Sequence, residues 1–505
     1  MKTETAEKTG SIATRPPIVV VMGHIDHGKT TLLDRIRATK VAEREAGGIT
    51  QAIGAYQAEH KGKKITFIDT PGHEAFSAMR ARGARVADIA VLVVAADEGV
   101  KPQTEEALRN IRESELPFVV AINKIDRPNA DPNRVKKELA DKEVLVEGFG
   151  GTVPVAELSA KSGEGVETLL ETILLLAELE ELKSDASKCG QGVVIESHLD
   201  PRRGAAATLL LEDGVVKRGD YLVIGDQSTP VRIFENFLGQ PIDEAHAAEP
   251  IRITGFSRIP ELGEKFTVCR TRGEAEVARS HAASAGLRPT AANEKTRESG
   301  KHIVNIILKT DMLGSKEALE DTLAKVGSAE LANRILKSEV GDVTESDVKL
   351  ASASKNTIVV GFNVKVPPSI QELAERNEVM IVSKNIIYEL IDAVKAAMIE
   401  RAPAETRRVD LGRAKILALF KEEPGKQIVG GRVETGRIEA SARFDIIRNQ
   451  VKIGGGRVAG LQSQRRDTDA VPEGQEFGLK ADVSIPLAVG DNIDIFGEEK
   501  LIHRL

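Results

Sequence analysis

The sequence has few of the features that mark disulfide-rich, zinc-binding or membrane-spanning proteins. Only two of its 505 residues are cysteines, and neither lies in a Cys-x-x-Cys pair or a Cys/His cluster. This composition argues against a disulfide framework and a zinc site, and it indicates a reducing, cytoplasmic location. The longest apolar run, IAVLVVAA at residues 89–96, is far shorter than the ~20 residues of a membrane-spanning helix. It is typical of a buried strand in a parallel sheet.

Charge and aromatic content limit the kinds of partner that we expect. The formal net charge is −7, so any nucleic-acid contact must come from a local basic surface. Residues 412–466 are such a region, with twelve Lys or Arg against five Asp or Glu. Aromatic residues make up only 3% of the chain, which argues against base stacking as the main mode of contact. The polar N-terminus lacks the apolar core of a signal peptide and predicts a short disordered arm.

The order of apolar patterns predicts a multidomain protein of α/β and β units. A chain of this length usually forms several domains. Strand-like and helix-like segments alternate in two regions, which is typical of parallel α/β sheets, and short alternating strands dominate two others, which is typical of β-barrels. We predict an arm at 1–16, an α/β domain at 17–182, a β-barrel at 183–288, a linker at 289–301, a second α/β domain at 302–400, a linker at 401–411 and a second, similar β-barrel at 412–505. In the first α/β domain, strands are predicted at 18–23, 65–70, 89–97, 118–124 and 153–160, and helices at 29–37, 74–84, 103–113, 133–142 and 166–182.

The stretch GHIDHGKT, which follows the first predicted strand and opens a helix, predicts a phosphate-binding loop. It fits the pattern G-x-x-x-x-G-K-[ST] in the required strand–loop–helix context. Backbone N–H groups and the helix N-terminus would cradle phosphate oxygens, and Lys29 would reach the terminal phosphates. The Thr30 hydroxyl is a suitable ligand for Mg²⁺. The first α/β domain is therefore predicted to be a P-loop nucleotide-binding domain.

Two further motifs predict that the base is guanine. In NKID, the Asp126 carboxylate can accept hydrogen bonds from guanine N1–H and N2–H₂, a donor pair that adenine lacks. In SAK, the Ala160 N–H can be offered to the guanine carbonyl oxygen. Together with DTPGH, these motifs give the predicted nucleotide site: Gly23, His24, Ile25, Asp26, His27, Gly28, Lys29, Thr30, Asp69, Thr70, Pro71, Gly72, His73, Asn123, Lys124, Ile125, Asp126, Ser159, Ala160 and Lys161.

The segment DTPGH and the preceding GGIT predict how the γ-phosphate is sensed. Asp69 can hold Mg²⁺ through a water molecule, and Thr50 is a candidate second Mg²⁺ ligand beside Thr30. Gly72 has no side chain to keep its N–H from the γ-phosphate. Ordering of such a segment by the γ-phosphate, and its release on hydrolysis, is how GTPases switch.

His73 is the candidate for positioning the attacking water, a task that Gln performs in other GTPases. Its place directly after Gly72 distinguishes it from the other eight histidines. His24 and His27 are expected to pack or hydrogen-bond locally, because backbone groups do the binding in a phosphate loop. No arginine stands out as a built-in finger, so slow intrinsic hydrolysis, accelerated by a partner, is expected.

The motifs in combination resemble bacterial-type translation initiation factor two, a family of the translational GTPase superfamily. The resemblance rests on GHIDHGKT, GGITQAIGAY, DTPGHEAF, NKID and SAKSGEG, and it continues through GVVIES, VGDVTESDVKLASASKNTIVVGFNV, NIIYELIDAVKAAM and LGRAKILALFK. It implies a ribosome-dependent GTPase that brings formylmethionyl initiator tRNA to the small subunit and promotes joining of the large subunit, with hydrolysis driving release. It also implies GTP, GDP and Mg²⁺ as ligands, contact with other initiation factors, and a monomer without membrane contact.

The resemblance also assigns roles to single residues. It implies that His73 is the catalytic histidine, that Ile25 and Ile49 form an apolar gate beside the γ-phosphate, and that Thr30 and Thr50 ligate Mg²⁺. The terminal barrel is implied to hold the formylmethionine end of the tRNA.

The sequence departs from the family pattern at a few positions. Ala52 stands where the family usually has His. In the terminal barrel, Gly431 and Phe477 replace cysteines at positions expected to lie in the pocket for the tRNA end, and the stretch at 464–469 is shortened. The departures in the terminal barrel bear on the details of initiator recognition, and no consequence is assigned to Ala52.

Two other functions compete with initiation. An elongation-type carrier of aminoacyl-tRNA would share the GTPase domain and the first barrel, but it would lack an α/β third domain. A ribosome-binding assembly or regulatory protein would use GTP only as a switch.

Overall fold

A computed structural model describes residues 12–37, 50–51, 53–285, 302–328, 331–402, 406–423, 425–464 and 466–500. The chain divides between residues 401 and 402 into two compact units. The first contains both α/β domains and the first β-domain, and the second contains the terminal barrel. Among the described helices, none combines the length and the apolar composition that a membrane crossing needs. The expected residues Ile49 and Ala52 and the linker at 289–301 lie outside the described part.

The first α/β domain is built on a six-stranded sheet whose central strands are fully buried. The first strands of the chain are β1 (Ile12–Thr14), β2 (Ile18–Gly23), β3 (Gly54–His60), β4 (Lys63–Asp69), β5 (Ile89–Ala95), β6 (Phe118–Asn123) and β7 (Val155–Glu157). The sheet order is β3-β4-β2-β5-β6-β7, and every pair is parallel except β3 with β4. The predicted parallel α/β fold is confirmed. The sequence did not reveal β3, because this antiparallel edge strand is only partly buried and lacks a clear apolar alternation.

The helices of this domain lie close to their predicted positions. They are α1 (Lys29–Arg37), α2 (Ser77–Val86), α3 (Pro102–Glu113), α4 (Pro132–Asp141) and α5 (Val166–Leu179). The helix predicted at 74–84 begins instead with a separate 3₁₀ turn over Glu74–Phe76, because the His73 side chain caps that turn.

Residues 12–16 are ordered, so the prediction of a disordered arm is wrong for them. Strand β1 pairs antiparallel with β8 (Lys183–Asp185). The Arg15 guanidinium also donates two hydrogen bonds to Asp88, at 2.6 and 2.7 Å. This pairing fixes the start of the chain against the first α/β domain, while residues 1–11 lie outside the described part.

The first β-domain consists of antiparallel strands around one apolar core. Its strands are β9 (Gln191–Asp200), β10 (Gly204–Asp213), β11 (Val215–Lys217), β12 (Tyr221–Ile224), β13 (Gln227–Pro230), β14 (Ile233–Asn236), β15 (Glu244–His246), β16 (Pro250–Phe256) and β17 (Lys265–Cys269). Seven of them form a sheet in the order β13-β12-β17-β9-β10-β16-β14, and β11 pairs with β15. Helix α6 (Arg272–Ala285) follows.

The second α/β domain has a four-stranded parallel sheet. Its elements are β18 (His302–Thr310), α7 (Leu313–Ala324), β19 (Leu331–Val340), α8 (Glu345–Ala353), β20 (Thr357–Phe362), α9 (Pro368–Arg376), β21 (Met380–Lys384) and α10 (Ile387–Arg401). The sheet order is β19-β18-β20-β21. Alternation of strands and helices in the sequence predicted this fold correctly.

The second unit is a closed antiparallel barrel. Its strands are β22 (Thr406–Glu423), β23 (Lys426–Glu439), β24 (Arg443–Arg448), β25 (Val451–Ser463), β26 (Arg466–Asp467), β27 (Ala470–Pro472), β28 (Glu476–Val483) and β29 (Asn492–Lys500). The order β22-β29-β24-β25-β28-β23 closes through pairing of β23 with β22. The linker predicted at 401–411 is wrong for residues 406–411, because these residues start β22 and pair with β29.

The Gly-Asp turns that suggested two similar barrels have the same local geometry. Gly219 and Gly490 have φ of +97° and +96°, and each precedes a buried aspartate. Both Asp220 and Asp491 accept a hydrogen bond from the backbone N–H three residues earlier, at 2.8 Å. Each also pairs with an arginine, at 2.6 and 2.8 Å. The sequence echo therefore reflects one turn type used in both β-domains, whose strand orders differ.

Candidate functional site

The predicted nucleotide-binding residues gather at the carboxyl ends of β2, β4, β6 and β7. This edge is where ligands bind in open α/β sheets. Around the phosphate loop lies a cavity of about 180 Å³. Its lining includes Ile25, Lys29, Thr30, Thr50, Gly72 and His73. The structure thus brings together the phosphate loop and both segments predicted to sense the γ-phosphate.

Two glycines give the phosphate loop its shape. Gly23 and Gly28 have φ of +144° and +85°, which disfavours residues with a side chain. A Cβ on Gly23 would lie 2.3 Å from the Val93 carbonyl oxygen, and one on Gly28 would lie 2.4 Å from Asn123 Nδ2. The loop therefore packs against β5 and against the base-binding segment with no room for side chains.

The Lys29 ammonium is buried and bonded to the loop itself. Its Nζ donates to the carbonyl oxygens of Gly23 (2.9 Å) and His24 (2.6 Å). Burial lowers the pKa of Lys29 to about 8, although the nearby Asp69 carboxylate opposes this shift. A Cβ on Gly72 would lie 2.4 Å from this Nζ and 3.1 Å from the backbone nitrogen of Ile25, so the lack of a side chain at Gly72 favours the close approach of the two segments. Phosphate oxygens would give the ammonium stronger acceptors than the two carbonyls.

Three oxygen-bearing side chains predicted to hold Mg²⁺ lie side by side. Thr30 Oγ1 is 2.8 Å from Thr50 Oγ1, which donates to Asp69 Oδ2 at 3.2 Å. The other carboxylate oxygen, Asp69 Oδ1, is buried without a hydrogen-bond partner. Burial raises the pKa of Asp69 to about 6. A buried, unpartnered carboxylate oxygen beside two hydroxyls fits a hard divalent cation such as Mg²⁺.

Asn123 joins the phosphate loop to the base-binding segments. Its Nδ2 donates to the His27 carbonyl at 2.8 Å, and its Oδ1 accepts from the N–H groups of Lys124 (2.8 Å) and Ala160 (2.9 Å). The Ala160 N–H, predicted to be offered to guanine, is thus already bonded to Asn123 in this structure. A guanine carbonyl would have to share or replace that bond.

Asp126 is exposed and ready to accept hydrogen bonds from a base. A hydrogen bond from Ser159 lowers the pKa of Asp126, so the group is ionised at neutral pH. Ser159 is itself fully buried and accepts from the Ser162 N–H at 3.1 Å. Lys124 has φ of +64° and its ammonium lies 3.0 Å from Glu98. The predicted residues Ile125 and Lys161 lie next to these groups in the chain, and Asp26 lines the cavity at the phosphate loop.

His73 is neutral and one of its ring nitrogens is already used. Its Nδ1 accepts from the Ala75 N–H at 2.8 Å, so the proton of the neutral ring lies on Nε2. Nε2 is buried and has no hydrogen-bond partner. Burial, assisted by the Arg80 charge, lowers the pKa of His73 to about 4. The ring can therefore donate a hydrogen bond through Nε2 without carrying a charge.

Arg80 stabilises the segment that contains His73 through hydrogen bonds to its backbone. This residue was not predicted from the sequence. The side chain is 1% exposed and bonds to the carbonyl oxygens of Pro71 (3.0 Å) and His73. Its other amino group donates to both carboxylate oxygens of Glu106, at 2.7 Å. Thr70 adds a bond from its hydroxyl to the Val21 carbonyl at 2.8 Å. The one available signal for Arg80 was its place among the apolar residues on the buried face of α2.

His24 and His27 pack together inside the loop, as predicted for them. Their ring centroids are 4.9 Å apart in an edge-on arrangement. His27 is fully buried, and burial lowers its pKa to about 3. Glu98 lies 4.0 Å from His27 Nε2. Among the described residues, the side chains of His24, His27 and Glu98 form a group with the spacing of metal ligands. However, Glu98 is bonded to the Lys124 ammonium, and the buried Lys29 is close by, so the local charge disfavours a cation.

In the terminal barrel, Gly431 and Phe477 are direct partners on neighbouring strands. They are in register on β23 and β28. Phe477 is 4% exposed and belongs to the apolar core, so it does not line an open pocket as predicted. A Cβ on Gly431 would lie 2.5 Å from Phe477 Cζ. The two departures from the family pattern are therefore coupled, because the large ring occupies the space that the glycine leaves.

The basic stretch at 412–466 is partly neutralised by carboxylates within the barrel. Four of its side chains form ion pairs at 2.6 to 2.9 Å with Asp494, Glu439, Asp491 and Asp445, namely Arg413, Arg437, Arg448 and Lys452. Exposed apolar side chains lie on the paired strands β22 and β23: Leu417, Leu419, Phe420 and Ile428. The surface of the barrel thus carries exposed apolar side chains as well as basic ones.

Comparisons with known proteins give matches along most of the chain. The family described as Elongation factor Tu GTP binding domain matches residues 14–178, Elongation factor G domain 2 matches 190–269, and Translation-initiation factor 2 matches 279–395. The chain is 45% identical over 491 residues to translation initiation factor IF-2 of Rubrobacter xylanophilus, which covers 95% of this chain and 71% of that protein. It is 43% identical over 513 residues to translation initiation factor IF-2 of Carboxydothermus hydrogenoformans, which covers 99% of this chain and 62% of that protein.

A solved structure of GDP-bound aIF5B from Aeropyrum pernix is 27% identical, with a TM-score of 0.47, and the match covers 96% of this chain and 92% of that one. The match to the Rubrobacter protein extends over nearly the whole chain. The chain therefore belongs to the family of translation initiation factor IF-2, whose members are translational GTPases that bind GTP.

Proposed function

We propose that this protein is a ribosome-dependent GTPase that promotes binding of formylmethionyl initiator tRNA to the small ribosomal subunit and then subunit joining, with hydrolysis driving its release. It would act as a monomer in the cytoplasm, together with other initiation factors. The observation that carries the proposal is the combination, in one chain, of the guanine-nucleotide site with the α/β domain matched by the Translation-initiation factor 2 family.

The second α/β domain favours initiation over elongation. An elongation-type carrier would have the GTPase domain and a β-domain but no parallel α/β domain after them. Here a four-stranded parallel sheet with four helices follows the first β-domain. The remaining alternative, a regulatory GTPase of the ribosome, differs from initiation only in whether it binds initiator tRNA.

In the proposed nucleotide cycle, the chain's own groups hold the triphosphate. The loop N–H groups and the Lys29 ammonium bind phosphate oxygens, and Asp126 selects guanine. Thr30, Thr50 and, through water, Asp69 would hold Mg²⁺, which supplies positive charge against the β- and γ-phosphates. The Gly72 N–H would bond to the γ-phosphate, since no side chain stands between them.

Hydrolysis requires a water oxygen to bond to the γ-phosphorus while the bond to the β,γ-bridging oxygen breaks. His73 would orient this water. With Nδ1 bonded to Ala75 and a pKa of about 4, the neutral ring donates through Nε2–H to the water oxygen and does not take its proton. The proton lost by the water passes to a phosphate oxygen or to solvent. His73 is thus proposed as an orienting group and not as a general base.

The terminal barrel is proposed to bind the acylated end of the tRNA. Phe420 is 69% exposed and Leu417 is 49% exposed, so these side chains offer apolar surface for a methionyl side chain. Basic residues on the same strands would contact the tRNA backbone. Because several of them are paired with carboxylates, we expect fewer phosphate contacts than the count of basic residues suggests.

Filter binding with formylated and unformylated initiator tRNA, and with an elongator aminoacyl-tRNA, tests the proposal. We expect the protein to retain formylated initiator tRNA in preference to the other two. Equal or absent binding would refute the carrier role. Ribosome-stimulated GTP hydrolysis without initiator tRNA binding would instead support the regulatory alternative.

A further inference from the structure

The start of α10 in the second α/β domain contacts both segments that are proposed to sense the γ-phosphate. Gln51, which follows Thr50, donates from Nε2 to the Asn385 carbonyl at 2.8 Å. Its Oε1 accepts from the Ile387 N–H at 3.1 Å. The first N–H groups of a helix have no partner within the helix. Gln51 therefore caps α10 from another domain.

The next residue of α10 contacts the second sensing segment. The Tyr388 ring lies against the His73 ring with a centroid distance of 3.9 Å and an interplanar angle of 43°. Phe76 approaches His73 edge-on at 6.0 Å. Tyr388 is 43% exposed, so packing within its own domain does not enclose the ring. Two consecutive residues thus engage one residue from each sensing segment.

With the two rings in contact, Nε2 of His73 is buried and is not exposed to an attacking water. Nδ1 is bonded to the Ala75 N–H, and Nε2 is buried without a partner. The ring has no other polar atom. An imidazole that orients a water must expose Nε2 to that water, so the ring must leave its present position against Tyr388.

We propose that Tyr388 is a positioning residue that restrains His73 in the free factor, and that Gln51 holds Tyr388 in place for this purpose by capping α10. This inference rests on the proposed role of His73 in hydrolysis. Release of the contact would free Nε2 to orient the water, so that the second α/β domain controls the intrinsic rate of GTP hydrolysis. The restraint needs only the ring of Tyr388, because its observed contact with His73 is between the rings.

The expected size of the effect follows from the strength of an aromatic pair. Such contacts shift an equilibrium by about 2- to 10-fold. Loss of the ring in Tyr388→Ala should therefore raise the intrinsic rate of hydrolysis by about that factor. Tyr388→Phe keeps the ring and should match the wild type. Gln51→Ala should cause part of the same increase, because it removes the cap but leaves the ring.

The test is single-turnover GTP hydrolysis by the full chain without ribosomes, with the fold of each variant checked by thermal unfolding. Asp392→Ala is the matched control, because this carboxylate lies on the same helix, is 78% exposed and has only Lys395 near it among the described charges. The informative comparison is His73→Ala with and without Tyr388→Ala. Since Tyr388 is proposed to act through His73, Tyr388→Ala should not change the rate of hydrolysis in the His73→Ala background.

Several results would overturn the inference. One is an unchanged rate in a folded Tyr388→Ala variant, and another is an increase that persists in the His73→Ala background. If Tyr388→Ala fails to fold, an unchanged rate in Gln51→Ala decides against the restraint. Failure of the proposed function is distinguishable, because it would appear as normal ribosome-stimulated turnover in His73→Ala or as absent initiator tRNA binding, neither of which measures this contact.

Discussion

The nucleotide site and the terminal barrel differ in how their residues act: single polar groups act at the first, and side-chain volume acts in the second. At the nucleotide site, single polar groups have single tasks, and many of them are buried and bonded to backbone atoms, as Lys29 and Asn123 are. In the barrel, the positions that depart from the family pattern act through volume, since the Phe477 ring fills the space that Gly431 leaves open. Substitutions at the first region should change chemistry with little loss of stability, and substitutions in the second should do the reverse.

The largest expected effect tests the chemical side of this comparison. His73→Ala should lower ribosome-stimulated GTP hydrolysis by ~10²–10⁴-fold, the usual scale for an orienting or acid–base group. GTP affinity should hardly change, because His73 is proposed to contact water and not nucleotide. Turnover and Kd are measured on the same preparation.

His246→Ala provides the control for this prediction. His246 lies in the first β-domain with its side chain 58% exposed, so its loss should leave hydrolysis unchanged. Wild-type turnover in His73→Ala would remove this residue from the mechanism. It would also mean that a buried polar group at this site has only a structural role, which would weaken the difference proposed between the nucleotide site and the barrel.

A second, smaller change is expected from Asp126→Asn. The substitution removes the charge from the two hydrogen bonds that Asp126 is proposed to accept from guanine, so GTP affinity should fall by about 10²-fold. Xanthosine triphosphate, which has a carbonyl where guanine has its amino group, should be favoured instead. Competition binding with both nucleotides measures this change, and Asp131→Asn, which keeps an N-cap on α4, is the control. Unchanged preference for guanine would refute the role assigned to Asp126.

In the barrel, Gly431→Ala is expected to reduce stability without affecting GTP. The new Cβ would lie 2.5 Å from both Phe477 Cζ and the Lys415 carbonyl oxygen, and overpacking of this kind costs about 1–3 kcal/mol. Combined with Phe477→Leu, the loss should be smaller than the sum of the two single changes. The urea midpoint of the terminal barrel reports this coupling, with GTP Kd as the internal control. Strict additivity would mean that the two positions are independent.

The two regions also differ in what the sequence could predict about them. Phosphate and guanine chemistry fix both residue type and spacing, so roles in the phosphate loop, NKID and DTPGH could be predicted one residue at a time, and the structure brings these segments together at one edge of the sheet. What escaped prediction there depends on contacts between distant segments. Arg80 resembles any helical arginine until its bonds to Pro71 and Glu106 are seen. The bond between Asn123 and Ala160 likewise needs the folded sheet.

For the barrels, the alternation of strands predicted the fold class but not the pairing. Residues 406–411 were missed because a strand end carries a weak apolar pattern, and its pairing comes from β29, far along the chain. Strand β3 of the first α/β domain was missed for its weak pattern alone, since its partner β4 follows it directly in the chain. The register that places Gly431 opposite Phe477 likewise depends on a partner strand and could not be predicted from either strand alone. Sequence patterns report local periodicity, whereas volume complementarity is a property of two strands together.

The smallest expected effect is a pH dependence that belongs to the nucleotide site alone. In the nucleotide-free protein, burial holds the pKa of Lys29 at about 8, and bound phosphates should raise it. Below pH 8 the ammonium is already charged, so GTP affinity is at its full value. Above pH 8 binding must take up a proton, and Kd should rise ~10-fold per pH unit until the pKa of the complex is reached.

Titration of GTP binding from pH 7 to 9.5, in two buffers with different heats of ionisation, measures both the change in Kd and the proton uptake. Lys29→Arg is the matched control, because its guanidinium stays charged throughout this range and should give a flat profile. A flat profile for the wild type would mean that the ammonium is fully charged before phosphate arrives. The initiator tRNA binding that is proposed for the barrel should not follow the Lys29 profile, because the arginine pairs of that unit do not titrate in this range.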